Sequence, residues 1–175
     1  MINRILVAID RSQNRETVFT EAVSLAKALN AKLMLLHVLS PLDEGYPTPI
    51  YPGPDSIYPS LHEEAIRSYI HQWEAFERGG LELLRSLTEK ASAVGVVADF
   101  TQNAGEPGVT ICDVARTWSA DLLIVGRRGH SGVRQLILGS VSNYVLHHAP
   151  CSVLVVQGEL SSSLKGEVAA SSIAT

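Results

Sequence analysis

Five short runs rich in apolar residues recur along the chain, and each of the first four is followed by a stretch with helical rather than alternating periodicity. The runs are Ile5 to Ile9, Lys32 to Leu39, Val96 to Thr101, Leu122 to Val125 and Ser152 to Val156. A strand that is apolar on consecutive residues has both faces buried, which happens when helices cover a parallel sheet on both sides. Between the first two runs, Val18, Ala22, Leu25, Ala26 and Leu29 share one helical face, and Asn30 is placed to end that helix in a left-handed cap. The order β-α-β-α-β-α-β-α-β predicts an α/β fold. We expect one doubly wound domain over residues 1–156, with a five-stranded parallel sheet in the order 3-2-1-4-5 and helices on both faces.

Two segments depart from this rhythm. Five of the eight prolines lie between Ser40 and Asp55, and Tyr46, Tyr51 and Tyr58 accompany them. Proline lacks the amide donor that a ladder needs, so residues 40–60 read as a loop insertion. It either packs its tyrosines on the body or serves as a lid or partner contact. From Gln157 onward the chain is polar, and residues 157–175 read as a disordered tail. A helical pattern runs from about Leu61 to Val94, and Gly79-Gly80 is expected to bend or divide it. Gly105-Glu106-Pro107 reads as a helix start, with proline in the first turn. Trp73 and Trp118 fall on apolar faces and read as core, and His37 as a hydrogen-bonded core histidine.

The bulk properties narrow the function classes. With 175 residues, 46 % apolar content and a formal net charge of −4, the chain has material for one core and no basic footprint for nucleic acid. No run approaches the roughly 18 apolar residues of a membrane span, and no secretory signal is read at the amino terminus. Cys112 and Cys151 form neither a metal spacing nor a disulfide framework. The expected location is cytoplasmic.

The chemistry concentrates after the fourth apolar run, where the sequence reads Gly126-x2-Gly129-x9-Gly139-Ser140. Glycines let a loop at a strand tip turn its amides into one concavity and approach a ligand closely. Gly139-Ser140 begins a helix, whose free amides and positive dipole end attract phosphate oxygens. Ser140 and Ser142 add hydroxyls, and Arg128 and His130 add charge compensation. The P-loop pattern is absent. The dinucleotide fingerprint belongs after the first strand, where Asp10-Arg11-Ser12 stands instead. In a 3-2-1-4-5 sheet the first and fourth strands are neighbours where the winding reverses, so Asp10 and the glycine loop meet in the crevice that binds ligands in open α/β sheets.

Over about residues 1–156 the chain resembles the universal stress protein family. The carriers are Val7-Ala8-Ile9-Asp10, Leu36-His37-Val38, Ala120 to Gly126, the spaced Gly126, Gly129, Gly139, Ser140 set, and Pro150-Cys151 followed by Ser152 to Val156. The spaced glycines are similar to those of the family's ATP-binding members. The resemblance implies ATP, or ADP or AMP, as ligand, with Mg2+ bridging the phosphates. It places Asp10, Arg11 and Ser12 beside ribose and base, and the Val38 backbone at the adenine edge. Gly126, Arg128, Gly129 and His130 would line ribose and phosphates, and Gly139, Ser140, Val141 and Ser142 the phosphate tail. It also implies a homodimer paired through Ser152 to Val156. Arg11 departs from the glycine common after the aspartate, and could cover the nucleotide, touch a phosphate or occlude the site.

Three functions remain open at this point. The first is a nucleotide-binding regulatory protein of the stress response, read out through conformation or a protein partner. The second is a slow ATP hydrolase or nucleotide-transferring enzyme on the same scaffold, for which the sequence fixes no general base. The third is a dimeric interaction module with a vestigial site.

Overall fold

The computed structural model describes residues 1–12, 14–41, 43, 45–48, 59–127 and 138–157. In chain order the elements are β1 (Arg4–Ala8), α1 (Arg15–Leu29), β2 (Lys32–Leu39), α2 (Pro59–Ala93), β3 (Ala98–Ala104), α3 (Pro107–Thr117), β4 (Leu122–Gly126), α4 (Ser140–His148) and β5 (Ser152–Val156). The strands form one parallel sheet in the order β3-β2-β1-β4-β5, which is the order expected.

The alternation of side chains across each strand divides the core in two. Ile5, Val7, Leu33, Leu35, Leu122 and Ile124 face α1 and α2, where Val18, Ala22, Leu84 and Leu87 cover them. Leu6, Leu36, Val38, Leu123 and Val125 face α3 and α4, under Ile111, Ala115 and Val145. Both faces of β1 are therefore sealed, and its three central residues are wholly buried.

Local signals act as their chemistry requires. Asn30 adopts φ 52°, and its amide bonds back to the end of α1. Pro107 occupies the first turn of α3, and the Glu106 carboxylate accepts from the amides of Gly108 and Val109 at 3.3 and 2.8 Å.

Three expectations are corrected. The helix is not divided at Gly79-Gly80: α2 runs unbroken for 35 residues. A Cβ at Gly80 would collide with the Gln102 carboxamide and come within 2.8 Å of His37 Nδ1, so glycine serves close approach between α2 and the sheet. β3 begins later and ends later than the apolar residues suggested, because an edge strand carries polar residues such as Gln102 and Asn103. Trp73 and Trp118 are half-buried rather than core. Trp73 instead joins an aromatic group, edge-on to Tyr46 at a centroid distance of 5.4 Å and tilted against Phe76 at 6.0 Å. Tyr46 thus packs part of the proline-rich segment onto α2, while Tyr51 and Tyr58 lie outside the described residues. So does the tail from residue 158. Among the described residues, no helix is long and apolar enough to cross a membrane.

Candidate functional site

At the carboxyl end of the sheet, the chain leaves β1 toward α1 on one face, while β4 leads to α4 on the other. The gap between those exits is a cavity of about 410 Å³. One part of its wall is apolar, built from Ala8, Ile9, Leu36, Val38, Ile111, Val125 and Val141. Another part is polar, with Asp10, Ser12, Asn14 and Arg15 after β1, Ser40 and Asp43 after β2, and Gly139, Ser140 and Ser142 at the start of α4.

Asp10 is held by the turn it makes. Its Oδ1 accepts from the Ser12 amide at 3.1 Å and from the Ser12 hydroxyl at 2.6 Å. This local Asx turn keeps the carboxylate at the strand tip and leaves Oδ2 outside that pair of bonds.

The start of α4 is clamped to the tip of β4. The Gly139 amide donates to the Arg127 carbonyl at 2.9 Å, and the Arg127 amide donates to Val156 at 2.8 Å. The buried Ser142 hydroxyl donates to the Gly126 carbonyl at 2.6 Å. These bonds fix the first turn of α4, whose Ser140, Val141 and Ser142 line the cavity and whose first amides have no acceptor within the helix. With the helix dipole, they create a positive potential without any cationic side chain.

Of the residues named from the sequence, Asp10, Ser12, Val38, Gly126, Gly139, Ser140, Val141 and Ser142 line this one cavity. Arg11 does not. Its guanidinium turns to α2, donating to the Phe76 carbonyl at 2.9 Å and lying 4.6 Å from the Phe76 ring centre. It therefore neither covers nor occludes the crevice. Arg128, Gly129 and His130 lie outside the described residues. Sequence reasoning passed over Arg15, Asn14, Ser40 and Asp43. A proximity signal existed for Asn14 and Arg15, which follow Asp10 within five positions, but a polar helix start is ordinary on its own.

Behind the cavity, His37 is 1 % exposed. Its Nδ1 pairs with Gln102 Oε1 at 3.2 Å, and its Nε2 stands 3.6 Å from Asp43 Oδ2, with no hydrogen-bond partner among the described residues. Burial pulls its pKa below the ordinary 6.5, and the Gln102 bond and the Asp43 carboxylate only partly oppose that. A neutral imidazole thus sits one layer below Asp43 in the cavity wall.

The sequence profile described as "Universal stress protein family" matches residues 1–157. The chain belongs to the universal stress protein family. Among its relatives in that family, the universal stress protein Sll1388 of Synechocystis is 36 % identical over 161 residues, covering 88 % of this chain and 97 % of its own. The solved universal stress protein UspA from Lactobacillus plantarum superposes with a TM-score of 0.67 at 26 % identity, covering 89 % of this chain and 97 % of its own. Two more distant structures share the fold and hold nucleotides. One is a universal stress protein in complex with cAMP (TM-score 0.56, 24 % identity, 89 % and 97 % covered). The other is an Arabidopsis thaliana family protein with AMP bound (TM-score 0.56, 21 % identity, 90 % and 92 % covered).

Proposed function

We propose that the crevice between the tips of β1 and β4 binds an adenine nucleotide, with ATP and Mg2+ as the working form, and that the protein acts as a nucleotide-dependent regulator in the stress response. The observation that carries this reading is the graded wall of the 410 Å³ cavity, apolar along β2 and α3 and lined by free amides at α4. A volume of several hundred Å³ suits a nucleoside-sized ligand. The apolar part would take the base beside Val38, Asp10 and Ser12 would meet the ribose, and Gly139 to Ser142 would hold phosphate. Ser142 would act through its amide, because its single hydroxyl proton is already given to Gly126. Gly126, Arg128, Gly129 and His130 complete the proposed ribose and phosphate contacts. The AMP and cAMP found in relatives of the same fold support the adenine class.

Mg2+ would ride mainly on phosphate oxygens. Among the described residues no group of three or more His, Cys, Asp or Glu side chains converges to cage it, and Asp10 in the cavity wall is the carboxylate we assign to it. For assembly, β5 is an edge strand and offers one side for pairing with a second copy, so we infer a homodimer through Ser152–Val156.

Equilibrium binding of ATP, ADP, AMP and cyclic AMP to nucleotide-stripped protein, with and without Mg2+, tests the proposal. A dissociation constant around micromolar, about −8 kcal/mol, is expected for ATP. Absence of binding to all four refutes it. Following inorganic phosphate in the same samples tests the regulatory reading, which predicts retention of ATP rather than sustained release.

A further inference from the structure

We infer that Arg15 is the side chain through which this crevice reads phosphate, so that it selects nucleotides over nucleosides; this rests on the proposed nucleotide site. Arg15 opens α1 and contributes to the cavity wall. It is the only cationic side chain among the described lining residues, whose other charged members are Asp10 and Asp43. Without it, the charged side chains among the described lining residues would be two carboxylates. The Asp10 carboxylate is taken up by the Ser12 amide and hydroxyl, and among the described residues Arg15 forms no ion pair with any acid.

A second observation points to a missing acceptor. Among the described residues, Arg15 Nε is shielded from solvent and has no hydrogen-bond partner. A buried guanidinium donor left unsatisfied is costly, and folded proteins seldom retain one without a use. The guanidinium fork matches phosphate oxygens in a bidentate geometry that a neutral ribose or base cannot fully use. Arg11 cannot substitute, since its guanidinium is bound to the Phe76 carbonyl on the other side of the turn.

The test is calorimetric titration of full-length protein and its Arg15→Gln and Arg15→Lys variants with ATP, ADP, AMP and adenosine at fixed Mg2+. Arg15→Gln is expected to weaken the three phosphorylated ligands by about 10- to 100-fold while leaving adenosine unchanged. Arg15→Lys keeps the charge but loses the fork, and should fall between. The unfolding midpoint of ligand-free Arg15→Gln should not drop, because the lost group has no native partner. Equal weakening of adenosine and ATP would mark a structural role and overturn the inference, as would unchanged ATP binding in Arg15→Gln. Should the parent protein bind none of the four ligands, the nucleotide site itself fails and this inference falls with it. Loss of selectivity in the variant alone concerns only Arg15.

Discussion

The Ser142 hydroxyl donates to the Gly126 carbonyl at 2.6 Å, joining the first turn of α4 to the tip of β4 across 16 positions of sequence. A second, longer contact reaches the Arg127 carbonyl at 3.3 Å. One buried side chain thus fixes where the free amides of α4 point, and couples the proposed phosphate end of the site to the sheet.

Ser142→Ala leaves the Gly126 carbonyl without this donor in a buried setting. Unfolding in urea should show a loss of about 1–3 kcal/mol. Nucleotide affinity should fall as well, since the amides lose their aim. A variant with unaltered stability and affinity would mean that the clamp is incidental.

The diglycine in α2 yields a paired prediction. Gly80→Ala places a methyl against Gln102 and His37, and should cost about 1–3 kcal/mol by overpacking even though alanine favours helix. At Gly79 the added methyl meets only the end of the Arg11 side chain, at 3.1 Å. That flexible group can shift, so Gly79→Ala should gain up to about 1 kcal/mol. Chemical denaturation of both variants checks the sign of each. A destabilised Gly79→Ala beside a neutral Gly80→Ala would contradict the packing described.

His37 sets a pH dependence. Burial lowers its folded-state pKa below the ordinary 6.5. Between the two values the unfolded chain holds more protons, so stability is fully present above about pH 6.5 and declines as pH falls toward the folded value. His37→Gln removes this proton linkage. The difference in unfolding free energy between the two proteins should therefore change from about pH 7.5 to 5, with the parent losing more on acidification. Parallel curves would show that His37 does not titrate in this window.

The sheet was legible in the sequence because strands buried on both faces carry their signal locally, in consecutive residues such as Leu122-Leu123-Ile124-Val125. The family resemblance drew in addition on the spaced glycines, and the sequence profile and the 3-2-1-4-5 topology agree with the expected family and strand order. The α4 start was legible for a similar reason, since Gly139-Ser140 is a short motif at a helix start. What escaped was set by contacts distant in sequence. The direction of Arg11 depends on a carbonyl 65 positions away, and the role of Gly80 in α2 lies in the close approach of Gln102 and His37. Arg15 and Asp43 carried no motif. Arg15 follows Asp10 by only five positions, whereas Asp43 reaches the same cavity wall only because the segment after β2 closes on it.

The central claim is that the amides at the start of α4 receive phosphate. Its most direct test is calorimetric titration of nucleotide-stripped protein and of Ser140→Glu with Mg-ATP. Ser140 is exposed at the helix start, so the substitution leaves the core intact and sets a carboxylate where phosphate would lie. We predict saturable binding near micromolar in the parent protein and none in Ser140→Glu, at equal thermal stability of the two ligand-free proteins. Equal affinity in both would contradict the account.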